Sequence, residues 1–393
     1  MKTKLTKLFN EFSESERTGG YLLIVCTIVS LIFANSAMSD SYISLFKAKI
    51  GFSLGPVSMH YPVYHWINDL LMAVFFLMVG LEIEREIYIG ELSDLRSALM
   101  PIVAAIGGMA VPALIHFSFN AGTEAQSGFG IPMATDIAFA LGMLSLLGKR
   151  VPVAIKVFLT AVAIIDDLGA IIMIAVFYSK GFSLIYFSLA IGIFIILLIF
   201  NRIGINRLSL YLIPGLVMWY FMHESGVHAT ITGVLLAFAI PFRDGSEKSI
   251  SYRLQHFLHK PVGLLIIPLF ALANTGIVIT PDLLGGLTSN NALGIIGGLF
   301  VGKPVGIFLF TLLSIKLGLS KLPENVSWLQ VSGAGMIAGI GFTMSIFIAL
   351  LAFNDSLMID TSKVAILCGS LLSCTAGMLM LYFGGKKTMG VES

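Results

Sequence analysis

The chain has 393 residues, 57% of them hydrophobic and 12% charged, where soluble domains carry about 45–50% and ~25%. Its 24 Lys and Arg nearly balance 22 Asp and Glu, and mean hydropathy is +0.93. A soluble enzyme, a disordered chain and a nucleic-acid binder are excluded, because none combines such apolar content with so little net charge.

The fold class that remains is all-α, a polytopic membrane protein. Cys26, Cys368 and Cys374 lie in apolar runs without ligand spacing, so neither a disulfide framework nor a zinc site is expected of them. Residues 1–17 read as a cytoplasmic amphipathic helix, with Leu5, Leu8, Phe9 and Phe12 at i, i+3, i+4, i+7. Glu11, Glu14 and Glu16 make this segment unlike the basic start of a cleaved signal. Residues 18–385 form one transmembrane domain, and 386–393 a short cytoplasmic tail.

A crossing helix needs about 20 mostly apolar residues. Such stretches centre on Thr18–Met38, Tyr64–Leu81, Leu99–Phe119, Phe129–Leu147, Val151–Tyr178, Phe182–Phe200, Leu208–Met222, Val227–Phe242, Val262–Val278, Leu293–Ile315, Trp328–Phe353 and Val364–Tyr382. That is a twelve-span reading, in which spans 7 and 8 are short enough to be a re-entrant pair. With the N-terminus inside, 19 Lys and Arg fall on the inner side and 4 outside (Lys47, Lys49, Lys180, Lys363), with Lys303 within a span. The positive-inside rule then makes both termini cytoplasmic. Ser39–Pro62 is the long outer connection; its alternation around Gly51 and Gly55 suits a β-hairpin as well as an irregular loop. The same segment is the expected surface of a homodimer.

Two spans carry helix breakers at membrane depth. The fourth reads Ser127-Gly-Phe-Gly-Ile-Pro-Met-Ala-Thr-Asp136, and the eleventh Ser332-Gly-Ala-Gly-Met-Ile-Ala-Gly-Ile-Gly-Phe-Thr343. Small residues also serve close helix packing, which is the better reading of Gly335–Gly339 alone. The two spans are seven apart, so spans 3–5 and 10–12 run in opposite senses. Inverted repeats with matching interrupted, crossed helices mark the midplane site of a transporter.

Intramembrane charges are costly and point to function. Asp136 follows the break in span 4, Asp166 and Asp167 sit in Ala163-Ile-Ile-Asp-Asp-Leu-Gly-Ala170, and Lys303 in Gly302-Lys-Pro304. Carboxylates with backbone carbonyls suit a hard cation such as sodium. Adjacent aspartates on a helix diverge by ~100°, so one can face the Asp136 break and the other Lys303. Asp136 suits the positive ends of broken helices and Lys303 the negative ends. An intramembrane aspartyl protease would carry Gly-x-Gly-Asp, and a prenyltransferase Asp-Asp-x-x-Asp; neither run occurs at these aspartates. A passive cation channel also fits the composition.

At Ala134-Thr-Asp-Ile-Ala-Phe-Ala-Leu-Gly142, Phe158–Ala170, Gly226-Val-His-Ala-Thr230, Gly302-Lys-Pro304 and Gly339–Ile348, the chain resembles the NhaA-type sodium/proton antiporters over nearly its full length. The resemblance implies electrogenic exchange of internal sodium or lithium for external protons in a bacterial inner membrane, serving pH homeostasis without a cofactor. It makes Asp166 and Asp167 the sodium- and proton-binding carboxylates, Thr135 and Asp136 their partners at the broken helix, and Lys303 the charge paired with Asp166. It maps the pH response to Glu82, Arg85 and Glu86 after span 2, and to Arg253, His256 and His259 before span 9. One departure stands out: Gln255 replaces the glutamate usual in the family's Leu-Glu-His run. His228 is a further candidate for pH response. Asp69, at the start of span 2, falls on the periplasmic side.

Overall fold

The computed structural model describes residues 2–54, 57–179, 181–323 and 326–384, with backbone alone at 2–17, 54, 57, 95–96 and 149. The amphipathic face expected at Leu5–Phe12, the hairpin tip at Gly55 and Pro56, Lys180, and the tail 386–393 therefore lie outside the described side chains. In chain order the elements are α1 (Lys2–Ala34), α2 (Ser39–Lys47), β1 (Lys49–Leu54), β2 (Val57–Pro62), α3 (Val63–Trp66), α4 (Met72–Tyr88), α5 (Leu95–Asn120), α6 (Ile137–Leu146), α7 (Val153–Phe177), α8 (Leu184–Ile203), α9 (Ser209–Glu224) and α10 (Ile231–Ala239). They continue as α11 (Ile250–Pro261), α12 (Ile267–Asn274), α13 (Pro281–Gly286), α14 (Asn290–Gly297), α15 (Lys303–Lys316), α16 (Trp328–Ala338), α17 (Phe342–Ala352) and α18 (Ser356–Gly384).

This is a helical polytopic membrane protein. Among the described residues seven helices are long and apolar enough to cross a membrane, or up to ten if each of three bent pairs is one span. The twelve-span reading also needs α9 and α10, whose 16 and 9 residues fall short of the ~30 Å hydrocarbon core at 1.5 Å per residue. The first helix runs unbroken from Lys2 into the first apolar stretch. The hairpin forms: β1 and β2 pair antiparallel with Gly51 opposite His60. A Cβ at Gly51 would lie 1.7 Å from the Met59 carbonyl oxygen, so only glycine fits.

Among the described residues three π-helical turns interrupt the ladders: Ile67–Leu71 ahead of α4, Val262–Ile266 ahead of α12, and Gly298–Gly302 ahead of α15. The last has a plain cause. Pro304 has no N–H to give its i−4 carbonyl, and the widened turn absorbs the loss.

The chain forms two compact units. The first holds Met1–Tyr21, Glu91–Ala170 and Ile279–Ser393, and so gathers spans 3–5 with spans 10–12, the two segments expected to form the inverted pair. Here α5 and α15 approach through Gly107 and Gly306; a Cβ on either would meet the other's carbonyl oxygen at 2.4 or 2.1 Å. Such small-residue contacts replace the hydrophobic drive that lipid removes. The second unit holds Leu22–Gly90 and Ile171–Val278. In it α10 packs on α4, and α8 turns Ile185, Ile195 and Ile199 outward, as a lipid-facing helix would.

Candidate ion-binding site

The centre of the first unit is a pair of helix breaks. A 3₁₀ segment, Glu124–Met133, gives way to extended backbone at Ala134–Asp136 before α6 starts, a bend of 43°. Pro132 and the neighbouring glycines disfavour a regular helix there. The companion break, Gly339–Gly341, separates α16 from α17 at 45°. The breaks are bonded to each other: the Asp136 N–H donates to the Ile340 carbonyl at 2.7 Å, and the Thr135 hydroxyl lies 2.9 Å from the Ala338 carbonyl oxygen. Ser345 Oγ donates to the Ile131 carbonyl at 2.7 Å. Each chain segment thus satisfies main-chain groups that the other leaves open.

Asp136 serves two helix N-termini. Its Oδ1 accepts from the Phe139 N–H at 2.9 Å, capping α6, while Oδ2 accepts from the Thr343 N–H at 3.1 Å and from the Thr343 hydroxyl, at the start of α17. A carboxylate at two positive helix ends is doubly favourable.

Lys303 does the converse. Its ammonium donates to the Met133 carbonyl at the end of the 3₁₀ segment and pairs with Asp166 Oδ2 at 2.7 Å. Both side chains of this pair are 0% exposed. Asp166 Oδ2 is also 2.8 Å from the Thr135 hydroxyl, which has one hydrogen for two acceptors, this oxygen and the Ala338 carbonyl. Asp166 Oδ1 has no hydrogen-bond partner among the described residues. Asp167 is buried next to it and within electrostatic reach of Lys303.

Thr135, Asp136, Asp166 and Lys303 are therefore brought together. One detail differs from the sequence reading: the aspartates do not divide the break and the lysine between them. Asp166 takes both, because Lys303 reaches the Met133 carbonyl and the carboxylate at once. Thr343 and Ser345 were not singled out from sequence, although a threonine directly after Gly-Ile-Gly-Phe is a natural helix-start residue.

The residues mapped to pH response lie in the second unit. On α4, Glu82 is within electrostatic reach of Arg85 and Glu86, and α4 packs against α11. That helix begins at a Ser249 cap on the Tyr252 N–H, buries Leu254 and Leu258, exposes Arg253 and His256, and leaves Gln255 and His259 half-buried. Sequence reasoning passed over Glu84, the buried glutamate of this run, which hydrogen-bonds Ser251. His228 is not with this group. Its Nδ1 is 2.9 Å from Thr230 Oγ1, and it lies within electrostatic reach of Asp69.

Fold and site together define a polytopic helical membrane protein with buried charges at paired helix breaks, the architecture of an ion transporter. The chain belongs to the family described as Na+/H+ antiporter 1, whose profile matches residues 10–381. It is similar to proteins named Na(+)/H(+) antiporter NhaA. The one from Cytophaga hutchinsonii is 53% identical over 99% of this chain and 98% of its own length. That from Flavobacterium psychrophilum is 54% identical, with 98% of each chain covered, and that from Dechloromonas aromatica 55%, with 97% of each.

Proposed function

We propose that this protein exports cytoplasmic sodium or lithium in exchange for external protons, electrogenically and under pH control, from a bacterial inner membrane. The observation that carries the reading is the buried Asp166 carboxylate, held between Lys303 and Thr135 at the helix break with one oxygen open. In the cation-loaded state Asp166, Asp167 and carbonyls freed at the breaks supply the oxygen ligands that sodium wants. In the proton-loaded state the cation is gone and its charge is replaced by protons on this group. Because Asp166, Asp167 and Lys303 interact, protons leave in coupled steps that belong to the cluster and not to one residue. If two leave for each sodium bound, the cycle carries net charge. Alternating access follows when the breaks, whose polar groups are satisfied by each other, rearrange around the fixed charges.

The proposed topology has both termini cytoplasmic, with the short α9 and α10 (spans 7 and 8) as a pair that returns the chain to the same side. It is supported by which ends meet within each unit. In the first, Asn120 bonds the Asn290 carbonyl at 3.2 Å and Ser127 the Ala352 carbonyl at 3.1 Å, all outer ends. Arg150 stacks on Tyr382 at 3.9 Å, both inner ends. In the second, the Ser183 N–H donates to the Ser225 carbonyl at 2.8 Å, and Asp69 meets His223 at 3.2 Å, again outer ends. A homodimer through Ser39–Pro62 is part of the same proposal.

Proton flux in everted vesicles on addition of NaCl or LiCl, scanned over pH, tests the reading. A passive channel would conduct sodium down its gradient with no stoichiometric counterflow of protons.

A further inference from the structure

Away from the helix breaks, the second unit gathers two histidines and a carboxylate from distant parts of the chain. His65 and Asp69 are one helical turn apart at α3 and the π turn that follows it, and His223 is in the last turn of α9. His65 Nε2 is 3.4 Å and His223 Nδ1 3.2 Å from the same oxygen, Asp69 Oδ2. One ligand atom from each residue lies within 4.8 Å of the others.

We propose that His65, Asp69 and His223 form a binding site for a transition-metal dication of the Zn2+ class. Zinc bonds nitrogen and carboxylate oxygen at about 2.0–2.2 Å, and tetrahedral ligands at that radius stand ~3.4 Å apart. The two distances to Asp69, 3.4 and 3.2 Å, match that edge, and the two imidazole nitrogens lie within 4.8 Å of each other. The donor set is two nitrogens and one oxygen, which suits zinc, copper or nickel and suits sodium or magnesium poorly. Tyr61 orients one of the histidines from outside the site. His223 Nε2 is 3.3 Å from the Tyr61 hydroxyl, so with the proton on Nε2 the Nδ1 lone pair is turned to the metal. Glu224 adds negative charge within reach of His223. All three ligands are partly exposed, so an ion can enter from water, and three protein ligands leave a fourth position for water or a small anion. A bound metal would tie the start of span 2 to the end of span 7.

The alternative is a histidine–aspartate ion-pair cluster with no affinity for metal, and the test separates the two. Purified full-length protein in detergent is titrated with ZnCl2 by calorimetry and with CoCl2 by visible absorption. We expect about one equivalent of Zn2+ bound at micromolar affinity, and a cobalt d–d band that Zn2+ abolishes. His65→Gln and His223→Gln should each weaken Zn2+ binding at least ~10-fold, while gel filtration shows both still folded. His259→Gln, on another helix, should bind as the parent does. The cobalt band of the parent needs no variant, so the proposal stays testable if His223→Gln fails to fold. No Zn2+ binding by the parent, or unchanged affinity in the His65→Gln/His223→Gln double variant, would overturn it.

Discussion

Asp136 belongs to one broken segment and caps the other: its Oδ2 accepts both the backbone N–H, at 3.1 Å, and the hydroxyl of Thr343. The carboxylate therefore locks the two breaks together while offsetting the positive ends of α6 and α17. Asp136→Asn would turn an amide N–H toward one of these donors. It should destabilise the protein by about 2 kcal/mol or more, seen as a lower melting temperature in detergent, and it should depress sodium-dependent proton flux. Parent-like melting would remove Asp136 from this locking role.

Lys303 and Asp166 are a fully buried pair, and removing one partner leaves the other charge stranded. Lys303→Ala should cost about 3–5 kcal/mol and abolish exchange. Lys303→Arg keeps the charge and should retain much of both. Adding Asp166→Asn to Lys303→Ala should recover part of the lost stability, because the stranded carboxylate is then neutral. A Lys303→Ala protein that melts with the parent would contradict the pairing as a source of stability.

Much of this arrangement is legible in the sequence, and the limits have physical causes. The breaks show because Gly339-Ile-Gly341 and Pro132 disfavour a regular helix, and Lys303 shows because nothing but a partner makes a lysine tolerable in an apolar span. Which aspartate takes Lys303 is not legible from spacing and comes only with the family resemblance: two adjacent helical residues point ~100° apart, and the position of α15 decides. Glu84 reads like its neighbours Glu82 and Glu86 until α11 covers it. The joining of His65, Asp69 and His223 depends on tertiary packing between segments far apart in the chain. The short α9 and α10 show a further limit, since hydropathy marks an apolar stretch without saying how much of it is helix.

Gln255 gives a prediction about pH. Raising pH removes protons from acidic groups around α4 and α11, and each loss makes the surface more attractive to sodium. With Gln255 one such group is missing from α11. Exchange should rise with pH, with a midpoint shifted or a slope shallower than in Gln255→Glu. The difference should shrink at high salt, since exposed charges are screened over ~8 Å at physiological ionic strength. Superimposable pH profiles for the two proteins would show that position 255 does not contribute.

Charge movement gives another. If two protons are exchanged for one sodium, an inside-negative potential drives export with ~2.3 kcal/mol per charge per 100 mV. Sodium pulses onto proteoliposomes on a solid-supported membrane should give transient currents, lost in Asp166→Asn. Proton flux without current would show electroneutral exchange.

The central claim is that the buried aspartates trade protons for sodium. Its most direct test is the NaCl-evoked collapse of a proton gradient in everted vesicles, comparing the parent with Asp167→Asn at equal membrane content. An amide keeps the size and one oxygen but can neither release a proton nor offer a full charge to the cation. We predict a sodium-dependent signal in the parent and none in Asp167→Asn; an equal signal in both would contradict the account.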